Sequence, residues 1–519
     1  MNKQSKPTEH LKLTGKITER YCIQLTGRLG SPLLAGSGDD RNTDSDVIVD
    51  YTGRPFVPGS ALAGAFRHFL QENVQGADNT SVDQQVLHFL FGGSSAISTP
   101  TGLTDAGQQS RLIIYDMSLE DESAVIGIRD GVKLDSYKSA EDEGKYEVQM
   151  VEAGAGFILR LEWLRRDTDN LHLGQQSGHV DIAASVANLL MKLIDGLVSG
   201  DLTIGAKGRR GFGKLQINQV HMRRFDYTDR RQATKWLVWD WRQENAFDKQ
   251  TEIKQWQPGS SKLPGFVRVG EPGNSRYCKL VVPLRIRHTL IIRSYLTKGF
   301  QENGVPVFEQ LRKSSQGGNG QENPAVIPGT SWMGAIRERL NVLLEEVGVT
   351  DGQMRRGKLE QLFGTRIGAE RNDNGRTHSN SLIASLIRVE ESVVAGGHPL
   401  TMTRNKIDRF TGGTVEGALF TSVPWVGGAT ELVLRWERTS YLISDAAICG
   451  LLLWIVRDLE EGLLAVGGET AIGRGLFSKD STKPITLDGQ PLLESAYSPY
   501  YLAALKWCQA EHIEQGANT

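Results

Sequence analysis

Cysteine is scarce. The 519-residue chain has four, Cys22, Cys278, Cys449 and Cys508, too far apart to form a paired metal-ligand motif. That spacing argues against a cysteine zinc site, and isolated thiols suit a reducing compartment. No apolar run approaches the roughly 18 residues that a membrane span needs, and the opening stretch, residues 1–18, lacks the apolar core of a secretory signal. The expectation is a soluble, cytoplasmic protein with no membrane partner. Charge of one sign is also missing: the formal net charge is −2, where a chain that grips nucleic acid unaided carries a basic excess. Any such contact must use local basic patches or a surface completed by neighbouring subunits. The histidines are scattered, and no Ser-His-Asp or Cys-His arrangement stands out for nucleophilic work. What is present is globular composition, 39% hydrophobic and 23% charged, in a length that suits two to four domains.

The chain contains itself twice. Val57-Pro58-Gly59-Ser60 opens into an apolar run ending at Arg67, and Ile327-Pro328-Gly329-Thr330 opens into another ending at Arg337, an offset of 270. Phe91-Gly92 answers to Phe363-Gly364 at 272, and Arg129-Asp130-Gly131-Val132 to Arg404-Asn405-Lys406-Ile407 at 275. Leu159–Glu162 matches Leu434–Glu437 at 275, and Gly205–Leu215 matches Gly467–Phe477 at 262. Matches in the same order at nearly constant offset mark a duplication.

Each half reads as strand, helix, strands, helix, strand. Residues 21–28 and 281–292 are rich in Val, Ile and Leu between polar flanks, as strands are. Pro-Gly-Ser and Pro-Gly-Thr read as helix starts, with a hydroxyl able to cap the first turn. Apolar residues at helical spacing predict second helices near 181–199 and 444–462. A βαββαβ order implies an α+β fold, two tandem ferredoxin-like sandwiches over residues 1–245 and 278–519. Residues 246–277, rich in Gln, Pro, Gly and Ser, read as a linker.

Two motifs carry a resemblance. One is the Pro-Gly-Ser helix start preceded by the loop Leu34-Ala35-Gly36-Ser37-Gly38-Asp39-Asp40; the other is the glycine-rich loop Gly205–Gly213. Together they resemble the RAMP superfamily, and within it the RRM-like backbone subunit of type III CRISPR effector complexes, here as a tandem fusion of two such domains. The resemblance implies a palm that binds guide RNA along its backbone and a hairpin thumb that displaces a base pair of the target. It also implies a loop aspartate supporting metal-dependent cleavage of target RNA. The implied partners are a CRISPR guide RNA, the target RNA, other RAMP backbone subunits and the large signature subunit of the complex.

On that resemblance the catalytic candidates are Asp39 and Asp40, with Asp39 holding Mg²⁺ or another divalent metal; a carboxylate there can also polarise the attacking 2′-hydroxyl. An ordinary solvated loop is the alternative. The second half's loop, 295–323, contains no aspartate, so one cleavage site per chain is expected. The Gly205–Gly213 loop nearly spells a phosphate-cradling P-loop, but Leu215 stands where Ser or Thr is required and a helix precedes it. It offers Lys207, Arg209, Arg210 and Lys214 to an RNA backbone, and its second copy keeps Arg474. A tight turn before a last strand is the plain alternative. Ser60 and Thr330 at the helix starts, and Arg67 and Arg337 two turns on, are further RNA candidates. So are Arg404, Lys406 and Arg409 in the second thumb (402–418), beside Phe410, an aromatic able to replace a stacked base. The first thumb (126–150) is acidic and suits protein contacts; both segments could equally be solvated hairpins. Trp236, Trp239 and Trp241 read as packing rather than base-stacking residues. Besides a cleaving backbone subunit, a non-catalytic scaffold and a stand-alone repeat-RNA endonuclease remain open.

Overall fold

The computed structural model describes residues 15–38, 43–73, 82–99, 102–119, 124–134, 140–167, 169, 182–243, 246–247, 253–263, 265–266, 268, 275–294, 301–302, 305–313, 323–365, 383–438 and 443–510. The main elements of the first half are β1 (Ile17–Leu29), α1 (Gly59–Asn73), α2 (Val82–Phe91), β2 (Leu112–Ile114), the hairpin β3 (Ile126–Leu134) and β4 (Ala140–Val151), β5 (Gly156–Arg166), α3 (Ile182–Ser199), β6 (Leu215–Asp226) and α4 (Arg230–Leu237). Those of the second are β7 (Tyr277–Ile286), α5 (Gly329–Glu346), α6 (Gly352–Phe363), β8 (Ile387–Val389), the hairpin strands β9 (Met402–Arg404) and β10 (Phe420–Val423), β11 (Ala429–Glu437), α7 (Asp445–Glu461), β12 (Phe477–Lys479) and α8 (Ser498–Gln509).

Each half is a ferredoxin-like sandwich. In the first, β1 lies between β6 and β5, and β2 adds to the far edge of β5, all antiparallel. In the second, β7 lies between β12 and β11, with β8 beyond β11. Alternation along the central strands decides the faces. Tyr21, Ile23 and Leu25 join the core of α1 and α3, while Cys278, Leu280, Val282 and Leu284 join that of α5 and α7. Helix α7 starts at Ser444, whose hydroxyl accepts from the Ala447 amide at 3.3 Å, and stops at Gly462, left-handed at φ 80°.

The duplication extends to individual hydrogen bonds. Ser110 Oγ donates to the carbonyls of Leu90 at 2.8 Å and Leu112 at 2.6 Å; Ser385 Oγ does the same to Leu362 at 3.2 Å and Ile387 at 2.7 Å. The register corrects one sequence match. Leu112 faces Trp163 and Ile387 faces Trp436, so the two tryptophans correspond, and the counterpart of Glu162 is Arg435 rather than Glu437. A two-residue slip leaves every side chain on its own face, which is why the apolar pattern conceals it.

The helix starts differ from expectation too. On α5 the N-cap is Pro328, with no side-chain cap from Thr330, and on α1 the Gly59 amide is bound by the Asp116 carboxylate at 2.7 Å. Glycine is needed there for space. A Cβ on Gly59 would sit 2.3 Å from the Ile114 carbonyl, and one on Gly329 only 2.2 Å from that of Arg210 and 2.4 Å from that of Val389.

That last contact joins the halves. The first half's glycine-rich loop seats against the start of α5 and the edge strand β8. Asp201, buried, accepts from Arg435 at 3.0 Å and from Ser275 at 2.9 Å, and its carbonyl accepts from Arg388 at 2.9 Å. Lys214 pairs with Glu390 at 2.9 Å. Arg129, from β3, reaches Glu391 of the second half and Glu152 of its own. Within 246–268, residues pack on the first half: Ile253 bridges to Val220, Trp256 is buried and donates to Asp195 at 2.7 Å, and Phe266 lies against Tyr21 and Trp163. No helix among the described residues is long and apolar enough to cross a membrane.

Candidate nucleic-acid interface

Asp39 and Asp40 lie outside the described residues, but both ends of their loop are fixed. On the outgoing side Gly36 bridges to Val47, and the Ser37 amide donates to the Asp46 carbonyl at 2.9 Å. On the return, the Asp46 carboxylate accepts from the Thr43 amide at 3.0 Å and hydroxyl at 2.9 Å. The Asp44 carboxylate accepts from the Glu147 amide on β4 at 2.6 Å. Asp44 therefore ties the neck of the loop to the first hairpin, and Asp46 closes the neck on itself. Among the described residues no group of three or more His, Cys, Asp or Glu side chains could hold a metal ion.

The glycine-rich loop meets this neck from the other side. The Ala206 amide donates to the Leu34 carbonyl at 2.8 Å, and a Cβ on Gly205 would come 2.4 Å from that same oxygen. Lys207 is left-handed at φ 57°, a conformation few side chains adopt, and opens a single 3₁₀ turn, Gly208–Arg210. Its ammonium lies 4.5 Å from the centre of the Tyr146 ring on β4. Burial, with Arg210 adding repulsion, lowers the Lys207 pKa to about 8.

The remaining cations of the loop divide. Arg209 donates to the Ser385 carbonyl and Lys214 pairs with Glu390, both across the junction between halves. Arg210 is exposed and has no side-chain partner among the described residues. In the second copy Glu469 takes the left-handed position at φ 56°. Arg474 is buried and pairs with Glu469 at 3.3 Å, where Arg404 also arrives at 3.7 Å and Arg293 at 3.6 Å. Arg474 therefore packs inside its loop. At the helix starts Ser60 is exposed and Thr330 half-buried, and Arg67 and Arg337 are half-buried along α1 and α5.

The two hairpins differ in construction. In the first, β3 and β4 pair from Ile126–Val151 to Val132–Lys145 and, past a shift in register, at Leu134–Ala140, and Arg129 anchors their base to the second half. The tip, 135–139, lies outside the described residues. In the second, the tip is a turn organised by one carboxylate: Asp408 accepts from the amides of Phe410 at 3.0 Å and Thr411 at 2.7 Å, and from the Thr411 hydroxyl at 3.0 Å. Those bonds hold the Asp408 carboxyl below its usual pKa. Phe410 is 99% exposed at that tip, with Lys406 and Arg409 exposed just before it in the chain. Sequence reasoning missed Tyr146, Asp201 and Arg129. Tyr146 had no signal, being placed by strand register. Asp201 gave none either, since it lies outside both repeated motifs.

The comparisons with known proteins bear on this arrangement. The family model of the RAMP superfamily matches residues 28–216 and again 317–478, together more than half of the chain. The two matched stretches each take in a helix start and a glycine-rich loop. A search of curated proteins found no match.

Proposed function

The chain belongs to the RAMP superfamily, and from that premise we propose that it is a CRISPR-associated RNA-binding backbone subunit of a type III effector complex, with a target-cleaving site in its first half. The observation that carries the reading is a convergence. The neck of the loop bearing Asp39 and Asp40, the Lys207 ammonium and the hairpin strand β4 all meet at Tyr146 and Glu147. A carboxylate-bearing loop beside a cation held in a water-poor setting suits a phosphodiester whose charge must be stabilised as the 2′-oxygen attacks. Guide and target RNA would lie along this surface. Arg210 and Lys207 supply charge from the glycine-rich loop, and Lys406, Arg409 and Phe410 supply contacts from the second hairpin. Other RAMP subunits and a large signature subunit would complete the complex and offset the chain's lack of net positive charge.

A divalent cation, Mg²⁺ above all, would be held by Asp39 and would supply charge stabilisation at the phosphate. The rest of the site is this chain's own work. The Asp44 and Asp46 hydrogen bonds hold the loop neck, and Lys207 presents its cation from a fixed backbone position.

A second reading, a non-catalytic scaffold, is favoured by Arg209 and Lys214, which are engaged between the halves rather than facing solvent. The deciding experiment is target-RNA cleavage by the guide-loaded complex, comparing the native chain with Asp39→Ala and Asp40→Ala, in Mg²⁺ and in chelator. Loss of one specific cut with target binding retained supports the cleaving subunit. Survival of every cut in both variants assigns the chemistry to neighbouring subunits.

A further inference from the structure

The junction between the halves is heterologous: a donor edge on the first half meets an acceptor face on the second, and duplication gives each half its own version of both. The acceptor face of the second half is the side of its sheet away from α5 and α7. It presents Tyr277, Lys279, Arg388, Glu390 and Arg435, and the first half covers it through Asp201 and Lys214. Strand register names the counterparts in the first half. Tyr21 and Cys278 face the corresponding Trp163 and Trp436, so Arg20 answers to Tyr277 and Cys22 to Lys279. Through β2 and β8, Ile113 answers to Arg388 and Tyr115 to Glu390, while Glu162 answers to Arg435.

Among the described residues, no other half sits on this first face. The chain covers it with its own segment. The Arg20 guanidinium lies 4.1 Å from the centre of the Trp236 ring and pairs with Glu162. Trp236 and Trp239 both pack on Phe225 of the same face, with ring centres 5.3 and 5.5 Å away. Trp241 meets Tyr115 at 6.0 Å and lies 5.5 Å from the Arg160 guanidinium. The Trp239 indole N–H hooks the segment shut on the Ala246 carbonyl at 2.8 Å. Cys22 and Glu162 beneath are buried at 0% and 1% exposure. Trp241 thus stands at Tyr115, where Lys214 of the first half stands at Glu390.

We propose that α4 and the residues following it, Arg230–Gln243, are a built-in end cap that occupies the first half's acceptor face and prevents a second copy of the chain from docking there head to tail. The cap is needed because the two ends are otherwise complementary. The second half's donor edge carries Leu463, Ile472 and Leu476 where the first half has Asp201, Arg210 and Lys214, and Leu463 and Ile472 are 65% and 58% exposed. The acceptor positions they would meet have changed in the same sense, to Ile113 and Tyr115. Left open, Leu463 and Leu476 of one copy would meet Ile113 and Tyr115 of another, apolar against apolar at the same places where charges meet within the chain. The proposal rests on the junction and the duplication, and is independent of RNA binding.

Sedimentation velocity on the full chain from about 0.5 to 50 μM tests it. The native chain is expected to remain a monomer. Trp236→Ser with Trp241→Ser, which removes the rings lying on Arg20 and Tyr115, should loosen the cap from the face, expose Cys22 to a maleimide probe and produce concentration-dependent association. Adding Ile472→Glu to that variant should return it to monomer. Should the double variant fail to fold, Trp241→Ser alone carries the comparison, since that side chain is half-exposed at the edge. The proposal is overturned by native-chain association that Ile472→Glu abolishes. It is equally overturned by a folded, Cys22-reactive variant that stays monomeric.

Discussion

Lys207 bears the conflict a binding site imposes on a single residue. Its backbone is left-handed, its ammonium is drawn out of water, and its pKa is lowered to about 8. A lysine whose folded pKa lies below its ordinary 10.5 binds fewer protons folded than unfolded between those values, so its cost to stability is full below about pH 8 and relieved as pH rises towards 10.5. Lys207→Met should therefore melt at or above the native temperature at pH 7, with the advantage shrinking above pH 9, despite losing the contact with Tyr146. RNA affinity should move the other way. Native binding, followed by fluorescence anisotropy at fixed salt, should fall as pH rises from 7 to 9 while the variant's stays flat. A flat native profile would remove Lys207 from the interface. The sequence supplied the residue and its neighbouring cations but not this character. Pattern alone treats Lys207, Arg209, Arg210 and Lys214 alike. Their fates diverge because Ser385 and Glu390, some 176 residues away in the chain, reach two of them.

Among the elements, the two hairpins answer different needs. Phe410 makes no buried contact to lose, so Phe410→Ala should leave the unfolding free energy within about 0.5 kcal/mol of native. If the ring stands in for a base, the substitution should weaken RNA binding by about 1–3 kcal/mol, measured by anisotropy at constant ionic strength. Unchanged affinity would make the tip a solvated turn. The first hairpin is held by Arg129, whose buried guanidinium serves two carboxylates. Arg129→Met strands Glu152 and Glu391 together without a cation and should cost about 3–5 kcal/mol; urea unfolding would read this directly. Hairpins were legible in both places, as charged, glycine-bearing runs between strands. The difference between them was not. An arginine in a repeated motif looks the same whether it meets RNA or, like Arg129, a glutamate 262 positions further on. The ferredoxin-like order was legible for a converse reason: it is written in local alternation and helical spacing that no distant contact revises.

At the level of the whole molecule, duplication has been followed by divergence of charge at the contact between halves. The first half carries Glu162 and Tyr115 where the second carries Arg435 and Glu390, and among the described residues only the second pair receives a neighbouring half. Two carboxylates at that contact, the half-buried Glu390 and the buried Glu152, titrate with opposite consequences. Burial pushes the Glu390 carboxyl upward, but Lys214 and Arg435 outweigh it and hold it below its ordinary 4.5. Its contribution is thus present above pH 4.5 and lost as pH falls through its folded value. Burial raises Glu152, and with the smaller repulsion from Glu391 it outweighs the attraction of Arg129; that group costs stability at neutral pH and costs less on acidification. If Glu390 dominates the contact, scanning calorimetry should show one cooperative transition at pH 7 that separates into two below about pH 4.5, as the halves uncouple. Glu390→Gln should separate them already at pH 7, and raising salt to about 0.5 M should change this little, because the pairs are shielded from the screening that weakens exposed ones. A single transition in the variant at pH 7 would mean that Asp201 with Arg435, and Arg129 with Glu391, suffice to join the halves.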